Sequence, residues 1–277
     1  MTAQKPTISV ITPSFNSGSK LRRAIESVLA QNFIAFEHIV VDAGSTDETL
    51  SILKSYPHIK WISESDRGQS DALNKGFAIS SGDIIVSLNC DDYFALGAFD
   101  AVIPHFNSGA KFVVGDVMVN SFRLGRSFKN IGKVGLKSMM RLWEQNAYCY
   151  NPVGYFYTRT VQEAVPFNIK NNFSMDLEFL LDVSAKFPMI KIDKLLGYYD
   201  EDSNSKTTRS QAEEGYWSVD TFPFVEQHIN SLTTEEQKQF RLDRQRGYTR
   251  IARYWRRRAA MIRLREYFRA LGKKIYS

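Results

Sequence analysis

The chain has 277 residues, of which 43% are hydrophobic and 24% are charged, and its formal net charge is +6. These proportions are close to those of soluble globular proteins, and they exclude a wholly disordered chain, a collagen-like fibre and a polytopic membrane protein. The two cysteines, neither of them in a Cys-X-X-Cys pair, exclude a disulfide framework, a zinc ribbon and a thioredoxin-like motif.

The first 120 residues alternate between short apolar runs and amphipathic helical patterns. The predicted strands are Thr7–Thr12, His38–Asp42, Ile59–Ser63, Asp83–Leu88 and Lys111–Val114. The predicted helices are Lys20–Gln31, Asp47–Tyr56, Gln69–Ser80 and Leu96–Phe106, and a capping box at Ser45–Glu48 opens the second of them. This alternation predicts an α/β fold with a mostly parallel central sheet flanked by helices.

The second half of the chain is less regular. Residues 120–134 are polar and rich in turn signals, and the pattern is helical from Gln211 onward. Between these segments we predict a strand over Tyr148–Thr158, a helix over Ser174–Phe187 and a strand over Met189–Tyr199. We therefore predict one domain over residues 1–210 and a helical C-terminal extension over residues 211–277 that is basic from residue 241.

Two adjacent carboxylates, Asp91 and Asp92, follow the apolar strand that ends near Leu88. Side by side at the end of a buried strand they repel each other, and Mg²⁺ or Mn²⁺ would remove that repulsion and bridge them to a diphosphate. The alternative is a solvated turn in which one of the two carboxylates caps the next helix.

Three further polar loops, over residues 12–16, 42–47 and 63–68, each follow a predicted strand. Because the carboxyl ends of parallel strands meet at one edge of a sheet, we expect these loops and the Asp91–Asp92 pair to form a single ligand site. Taken one at a time, each loop is better explained by ordinary turn chemistry than by a ligand site.

Six stretches of the sequence together resemble the inverting family 2 glycosyltransferases, which bind nucleotide sugars on a GT-A fold. The stretches are Ile8–Asn16, Ile25–Gln31, Val41–Asp47, Asp66–Gly76, Ser81–Asp83 and Leu88–Asp92. The resemblance implies that residues 1–116 are the nucleotide-sugar-binding half of the domain and residues 117–210 the acceptor-side half.

The resemblance also implies which residues bind the donor and the metal. The donor-binding residues are Pro13, Ser14, Asn16, Asp42, Gly44, Ser45, Asp66, Asp71, Asn74, Asn89, Asp91 and Lys206. A metal ion, Mn²⁺ or Mg²⁺, is expected on Asp92 together with Asp91, and on Asp202, which stands where many relatives carry a histidine. For the loop that holds Lys206, the alternative is a plain surface turn.

By the same resemblance, Asp176 is the catalytic base, because Phe173–Leu180 is similar to the family's segment that carries this acid at the start of a helix. The base would deprotonate an acceptor hydroxyl as it attacks the anomeric carbon, with inversion. Glu178 and Asp182 are the competing carboxylates. An acid at a helix start is also favoured by the helix dipole, and both roles can hold together.

The positive charge is concentrated at the C-terminal end of the chain. Residues 241–277 hold eleven arginines and two lysines against two acids, a net charge of +11 that leaves −5 for the other 240 residues. An anionic membrane surface is the partner that we expect for this segment. Packing on the chain's own domain or on a second copy in a homo-oligomer is one alternative, and nucleic acid is another.

We therefore expect an enzyme that transfers a sugar from a UDP-, GDP- or dTDP-sugar to a glycan or lipid-linked acceptor, in cell-surface polysaccharide or glycolipid biosynthesis. The alternatives are a sugar nucleotidyltransferase and a non-catalytic, membrane-associated scaffold that binds nucleotide sugars. No G-X-G-X-X-G, P-loop or H-E-X-X-H motif points to a dehydrogenase, a P-loop NTPase or a zincin. Without a secretory signal or an apolar run of about 18 residues, the protein is expected in the cytoplasm, peripheral on the inner face of the membrane.

Overall fold

The computed structural model describes residues 7–32, 35–121, 125–201, 223–250 and 253. The chain divides into two compact units. The first unit contains residues 1–140 and 146–221, and the second contains residues 141–145 and 222–277. The domain boundary predicted after residue 210 lies outside the described residues and stays a prediction.

The N-terminal half of the first unit is a parallel α/β layer. Its strands are β1 (Ile8–Ser14), β2 (Phe36–Asp42), β3 (Ile59–Ser63) and β4 (Ile84–Ser87), in the sheet order β3-β2-β1-β4. Its helices are α1 (Gly18–Leu29), α2 (Thr49–Lys54) and α3 (Gln69–Ile79). All three strand pairs are parallel, so the loops that follow β1, β2, β3 and β4 reach the same edge of the sheet.

The C-terminal half of the first unit continues the same sheet in the order β4-β8-β6-β9-β5, and β7 pairs with β6. Its strands are β5 (Tyr93–Phe94), β6 (Phe112–Ser121), β7 (Arg126–Asn130), β8 (Tyr155–Thr158) and β9 (Met189–Glu201). Its helices are α4 (Ala98–Asn107), α5 (Leu136–Met139), α6 (Arg159–Ala164) and α7 (Met175–Lys186). β8 runs antiparallel to both of its neighbours, β4 and β6. The predicted α/β fold with a central sheet and flanking helices is confirmed, and its parallel pairs are those among β1 to β4 and the long pair of β6 with β9.

Aromatic rings fill the core between this half of the sheet and α7. Phe112 stacks on both Tyr155 and Tyr157, with 5.5 Å between ring centroids in each pair. Phe179, from α7, packs on Tyr157 with a centroid distance of 5.1 Å. All four rings are almost completely buried. Rings of this size contribute much apolar surface, so they fix the position of α7 on the sheet.

Three local predictions differ from the structure. The predicted strand Tyr148–Thr158 is reduced to β8, because a 3₁₀ turn over Pro152–Gly154 precedes it and Asn151 caps that turn. The turn-rich segment 120–134 contains β7, whose mostly exposed polar residues suit an edge strand. The capping box at Ser45–Glu48 does not form: α2 begins at Thr49, and the Ser45 hydroxyl donates to Asp42 instead.

The described residues of the second unit from position 223 onward are mostly helical, as predicted, whereas its residues 141–145 form turns. It contains α8 (Pro223–Asn230) and a helix over residues 234–250. Trp143 packs edge-on against Phe240 and Tyr248, with centroid distances of 5.1 and 5.9 Å. Gly247 lies so close to the Trp143 ring that a Cβ atom would come within 2.2 Å of it. None of the helices in the described ranges is long and apolar enough to cross a membrane.

Candidate active site

A cavity of about 350 Å³ opens at the edge of the sheet where the loops after β1 and β4 meet. The remaining walls come from the start of α3, the turn before β8, the segment that leads into α7, and β9. The lining residues are Pro13, Phe15, Asn16, Ser17, Lys20, Gln69, Asn89, Cys90, Asp91, Tyr150, Asn151, Asn172, Phe173, Met175, Asp176 and Tyr199. All of them belong to the first unit.

A chain of amide hydrogen bonds forms the floor of the cavity around Asp92. Gln69 Nε2 donates to Asn89 Oδ1 at 2.8 Å, and Asn89 Nδ2 donates to Asp92 Oδ2 at 2.9 Å. Asn151 Nδ2 donates to the same Asp92 oxygen at 2.8 Å. The Asp92 side chain therefore holds together two loops, one after β4 and one before β8.

The two adjacent acids have different environments. Asp92 is completely buried, and its Oδ1 atom has no hydrogen-bond partner among the described residues. Burial, reinforced by the negative charge of Asp91, raises the pKa of Asp92 well above its ordinary value. Asp91 is half-buried and lines the cavity. Of the two, Asp91 is thus the carboxylate that a ligand in the cavity can reach.

The residues that line the cavity suit a divalent cation that takes few of its ligands from the protein. No group of three or more His, Cys, Asp or Glu side chains that could hold a metal is found in the part of the chain that the structure describes. One accessible carboxylate, Asp91, together with diphosphate oxygens and water, is a ligand set that Mg²⁺ accepts. The predicted metal ligand Asp202 lies outside the described residues, and the assignment of the metal to Asp92 stays a prediction.

Asp176 reaches the cavity from the first turn of α7, where the helix dipole favours a negative charge. The hydroxyl of Tyr155 donates to Asp176 Oδ1 at 3.2 Å. Burial and the charge of Asp176 raise the pKa of Tyr155 well above its ordinary value, so Tyr155 remains a proton donor in this bond. The competing acid Glu178 accepts hydrogen bonds from Asn168 and Asn171, and neither Glu178 nor Asp182 lines the cavity.

The segment that leads into α7 is fastened to α3 by hydrogen bonds to its backbone. Asn74 Nδ2 donates to the Phe167 carbonyl at 2.8 Å, and the Phe167 amide donates back to Asn74 Oδ1 at 3.1 Å. The Ser70 hydroxyl donates to the Asn171 carbonyl at 2.7 Å. Asn74 is therefore occupied in positioning this segment, which carries Asp176 at its end.

Asp42, the last residue of β2, shapes the loop that follows this strand. Asp42 is buried, and it accepts hydrogen bonds from the amides of Gly44 and Ser45 at 3.1 and 2.9 Å and from the Ser63 hydroxyl at 2.7 Å. The Ser45 hydroxyl also receives a 2.7 Å hydrogen bond from the amide of Asn16, which joins this loop to the cavity wall. Asp42 thus supports the cavity from behind.

Asp66 and Asp71 shape the turn that leads into α3. Asp66 accepts a hydrogen bond from the Gly68 amide at 2.8 Å, and Asp71 accepts two from Arg67, at 3.1 and 3.0 Å. The Arg67 guanidinium lowers the pKa of Asp71, although burial opposes the shift. Gly68 has a φ of +106°, and a Cβ atom there would lie 2.3 Å from Asn172, so this turn requires glycine.

The predicted site residues thus fall into three groups. Those that line the cavity are Pro13, Asn16, Asn89, Asp91 and Asp176. Those that lie outside its lining are Ser14, Asp42, Gly44, Ser45, Asp66, Asp71, Asn74 and Asp92. Lys206 and Asp202 lie outside the described residues.

Several lining residues were not predicted from the sequence. Phe15 and Gln69 lie inside the motifs that carried the resemblance, and Phe173 and Met175 lie just before Asp176 in the sequence. Lys20 supplies the only basic side chain among the lining residues that the structure describes. Position within a motif would have indicated the first four, whereas only the folded structure brings Lys20 to the cavity.

Comparison with known proteins identifies the family. The model for glycosyl transferase family 2 matches residues 9–169. An uncharacterized glycosyltransferase of Mycobacterium tuberculosis is 43% identical over 93 residues, which are 32% of this chain and 36% of that protein. For that relative, the chain spans about a third of its length. A PGL/p-HBAD biosynthesis glycosyltransferase of Mycobacterium bovis is 29% identical over 185 residues, which are 63% of this chain and 68% of that protein.

Solved structures share the fold at low sequence identity. TarS 1–349 of S. aureus, in complex with UDP-GlcNAc, matches with a TM-score of 0.67 and 18% identity over 84% of this chain and 70% of that chain. A mannosyltransferase from Pyrobaculum calidifontis, in complex with GDP-Man and Mn²⁺, matches with a TM-score of 0.56 and 13% identity over 91% and 84%. The fold is of the GT-A type, and since the family model covers more than half of the sequence, the chain belongs to glycosyl transferase family 2.

Proposed function

We propose that this protein is an inverting glycosyltransferase that uses a nucleotide diphospho-sugar donor and a divalent cation. The observation that carries the proposal is the pair of carboxylates in one cavity. Asp91 comes from the loop after β4, and Asp176 comes from the first turn of α7. A donor-side acid and an acceptor-side acid at one cavity are what a single displacement at an anomeric carbon needs.

Asp176 acts as the general base. The acceptor hydroxyl oxygen forms a bond to the anomeric carbon, the bond from that carbon to the diphosphate oxygen breaks, and the hydroxyl proton moves to the Asp176 carboxylate. The Tyr155 hydroxyl donates to Oδ1 of this carboxylate and so orients it toward the cavity. The nucleoside diphosphate leaves with the electron pair of the broken bond.

Asp91 acts on the donor side. A Mg²⁺ or Mn²⁺ ion held by Asp91 and the diphosphate would neutralise the charge that develops on the leaving group. Asn89 and Gln69 present polar side chains beside Asp91, and Lys20 adds a positive charge to the same cavity. These groups suit the hydroxyls and phosphates of a nucleotide sugar.

The comparisons support a nucleotide-sugar donor, because the TarS structure contains UDP-GlcNAc and the Pyrobaculum mannosyltransferase contains GDP-Man and Mn²⁺. For the acceptor we propose a glycan or a lipid-linked molecule, in polysaccharide or glycolipid biosynthesis; the Mycobacterium bovis relative is named for PGL/p-HBAD biosynthesis. A sugar nucleotidyltransferase would need a glycine-rich, basic loop after β1, whereas residues 13–20 contain only Gly18 and Lys20. A non-catalytic scaffold would bind the donor without turning it over.

Replacing the base should abolish turnover and leave donor binding intact. We expect Asp176→Asn to lower kcat about 10²–10⁴-fold, the usual contribution of a general base. Nucleoside diphosphate release from UDP-glucose, UDP-GlcNAc and GDP-mannose with Mn²⁺ measures the effect, and calorimetric binding of the nucleotide serves as the folding control. Glu178→Gln is the matched variant, because Glu178 lies two residues away and outside the cavity lining. Undiminished turnover in Asp176→Asn would rule out this base.

Substitutions of the two adjacent acids should differ in their effect on metal-dependent nucleotide binding. We expect Asp91→Asn to weaken Mn²⁺-dependent binding of UDP or GDP at least about 10-fold, since it removes the charged ligand. Asp92→Asn should instead lower the melting temperature and keep the Mn²⁺ dependence, because Asp92 is buried under the cavity floor. Calorimetry with and without Mn²⁺ tests both variants. Loss of Mn²⁺ dependence only in Asp92→Asn would assign the metal to Asp92.

We also propose that the segment 241–277 contacts an anionic membrane. The proposal rests on charge: residues 254–277 hold six arginines and two lysines against one acid. Removing these residues should abolish flotation with vesicles that contain phosphatidylglycerol, while wild type floats with them and stays behind with neutral vesicles. Truncation after residue 253 keeps the helix over residues 234–250, whose Phe240 and Tyr248 pack on Trp143. Equal flotation of the truncated and full chains would exclude this partner.

A further inference from the structure

Arg23, on α1, contacts two separate parts of the polypeptide next to the cavity. Its Nη2 atom donates to the backbone carbonyl of Asp91 at 2.6 Å. Its Nη1 atom donates to Asp200 Oδ2, also at 2.6 Å. One guanidinium group therefore joins the loop after β4, which carries the Asp91 carboxylate, to the end of strand β9.

Aromatic stacking fixes the guanidinium from one side. Its central carbon lies 4.4 Å from the centroid of the Tyr93 ring. Tyr93 in turn stacks on Tyr198, with a centroid distance of 4.7 Å and an interplanar angle of 9°. Asp200 is itself held by Asn120, whose Nδ2 donates to its other oxygen at 2.6 Å. The contacts on both sides of Arg23 are thus themselves anchored in the sheet.

The helix that carries Arg23 is also fixed. The buried residues of α1 are Leu21, Ala24, Ile25 and Val28, which pack into the core. They come both before and after Arg23 in the sequence. The Arg23 side chain therefore starts from a rigid backbone and ends on two acceptors in different elements. A planar guanidinium can serve two such acceptors at once, whereas the single ammonium of lysine cannot match the same fork.

We infer that Arg23 is a positioning residue for the donor site, an inference that rests on the proposed function. Its hydrogen bond holds the peptide group of Asp91, and the orientation of that peptide group decides whether the Asp91 carboxylate faces the cavity. The ion pair with Asp200 keeps the end of β9 at a constant distance from the same loop. Arg23 itself does not line the cavity.

The contacts of Arg23 contribute little to the global stability of the fold. The Arg23 side chain is 44% exposed, and an ion pair at such a position contributes little to the free energy of unfolding. The neighbouring Arg22 offers a matched comparison on the same helix. Its Nη1 atom donates to the Tyr56 hydroxyl at 3.3 Å, on the α2 side of the helix and away from Asp91.

The test compares Arg23→Ala, Arg23→Lys and Arg22→Ala in the full chain. Titration calorimetry gives the Kd of UDP and of GDP with Mn²⁺, and donor turnover gives kcat and KM. For Arg23→Ala we expect the Kd and the donor KM to rise about 10-fold or more, as for the loss of a charged hydrogen bond, with a smaller change in kcat. Arg23→Lys should fall between wild type and Arg23→Ala, and Arg22→Ala should match wild type. Millimolar guanidinium chloride should restore part of the binding to Arg23→Ala.

Each outcome decides a different point. Wild-type Kd and KM in a folded Arg23→Ala protein would overturn the inference and leave the proposed function intact. If Arg23→Ala does not fold, Arg23→Lys decides in its place, and an unchanged Kd in that variant would equally overturn the inference. A wild-type chain that binds none of UDP, GDP and dTDP with Mn²⁺ would overturn the proposed function, and this inference with it.

Discussion

A buried carboxyl group holds the two halves of the sheet domain together at the cavity. Asp92 accepts amide hydrogen bonds from Asn89, in the loop after β4, and from Asn151, in the turn before β8. These two loops belong to the N-terminal and the C-terminal halves of one sheet, so the Asp92 side chain determines how the cavity floor is assembled. A buried polar group is stabilising only when its partners are in place, which makes this floor sensitive to any change in its amides.

A second junction, between α3 and the segment before α7, completes the framework. Asn74 and Phe167 exchange two hydrogen bonds there, and the segment ends in the helix turn that carries Asp176. Asp91 and Asp176, the acids that we propose act on the donor and on the acceptor, are therefore each attached to a well-packed part of the fold. Under this proposal, little binding energy is spent on ordering the site.

The sequence predicts the N-terminal half of the sheet well, because β1 to β4 are apolar runs separated by helices of clear periodicity. It also predicts that Asp91 and Asp176 belong to one site, through motifs that are short and local. It does not distinguish Asp91 from Asp92, since neighbouring residues in an irregular turn follow no period that would indicate which one is buried. The pairing of Asn74 with Phe167 joins residues 93 positions apart, and no local pattern contains that information.

We propose that the two carboxylates of one cavity, Asp91 and Asp176, bring about a single displacement with inversion, and the other proposals depend on this claim. The anomeric configuration of the product tests it most directly, by proton NMR of the sugar transferred from an α-linked UDP- or GDP-sugar. We expect a product that is β-linked from the first turnover. An α-linked product would require two displacements or another mechanism, and it would contradict the role given to Asp176.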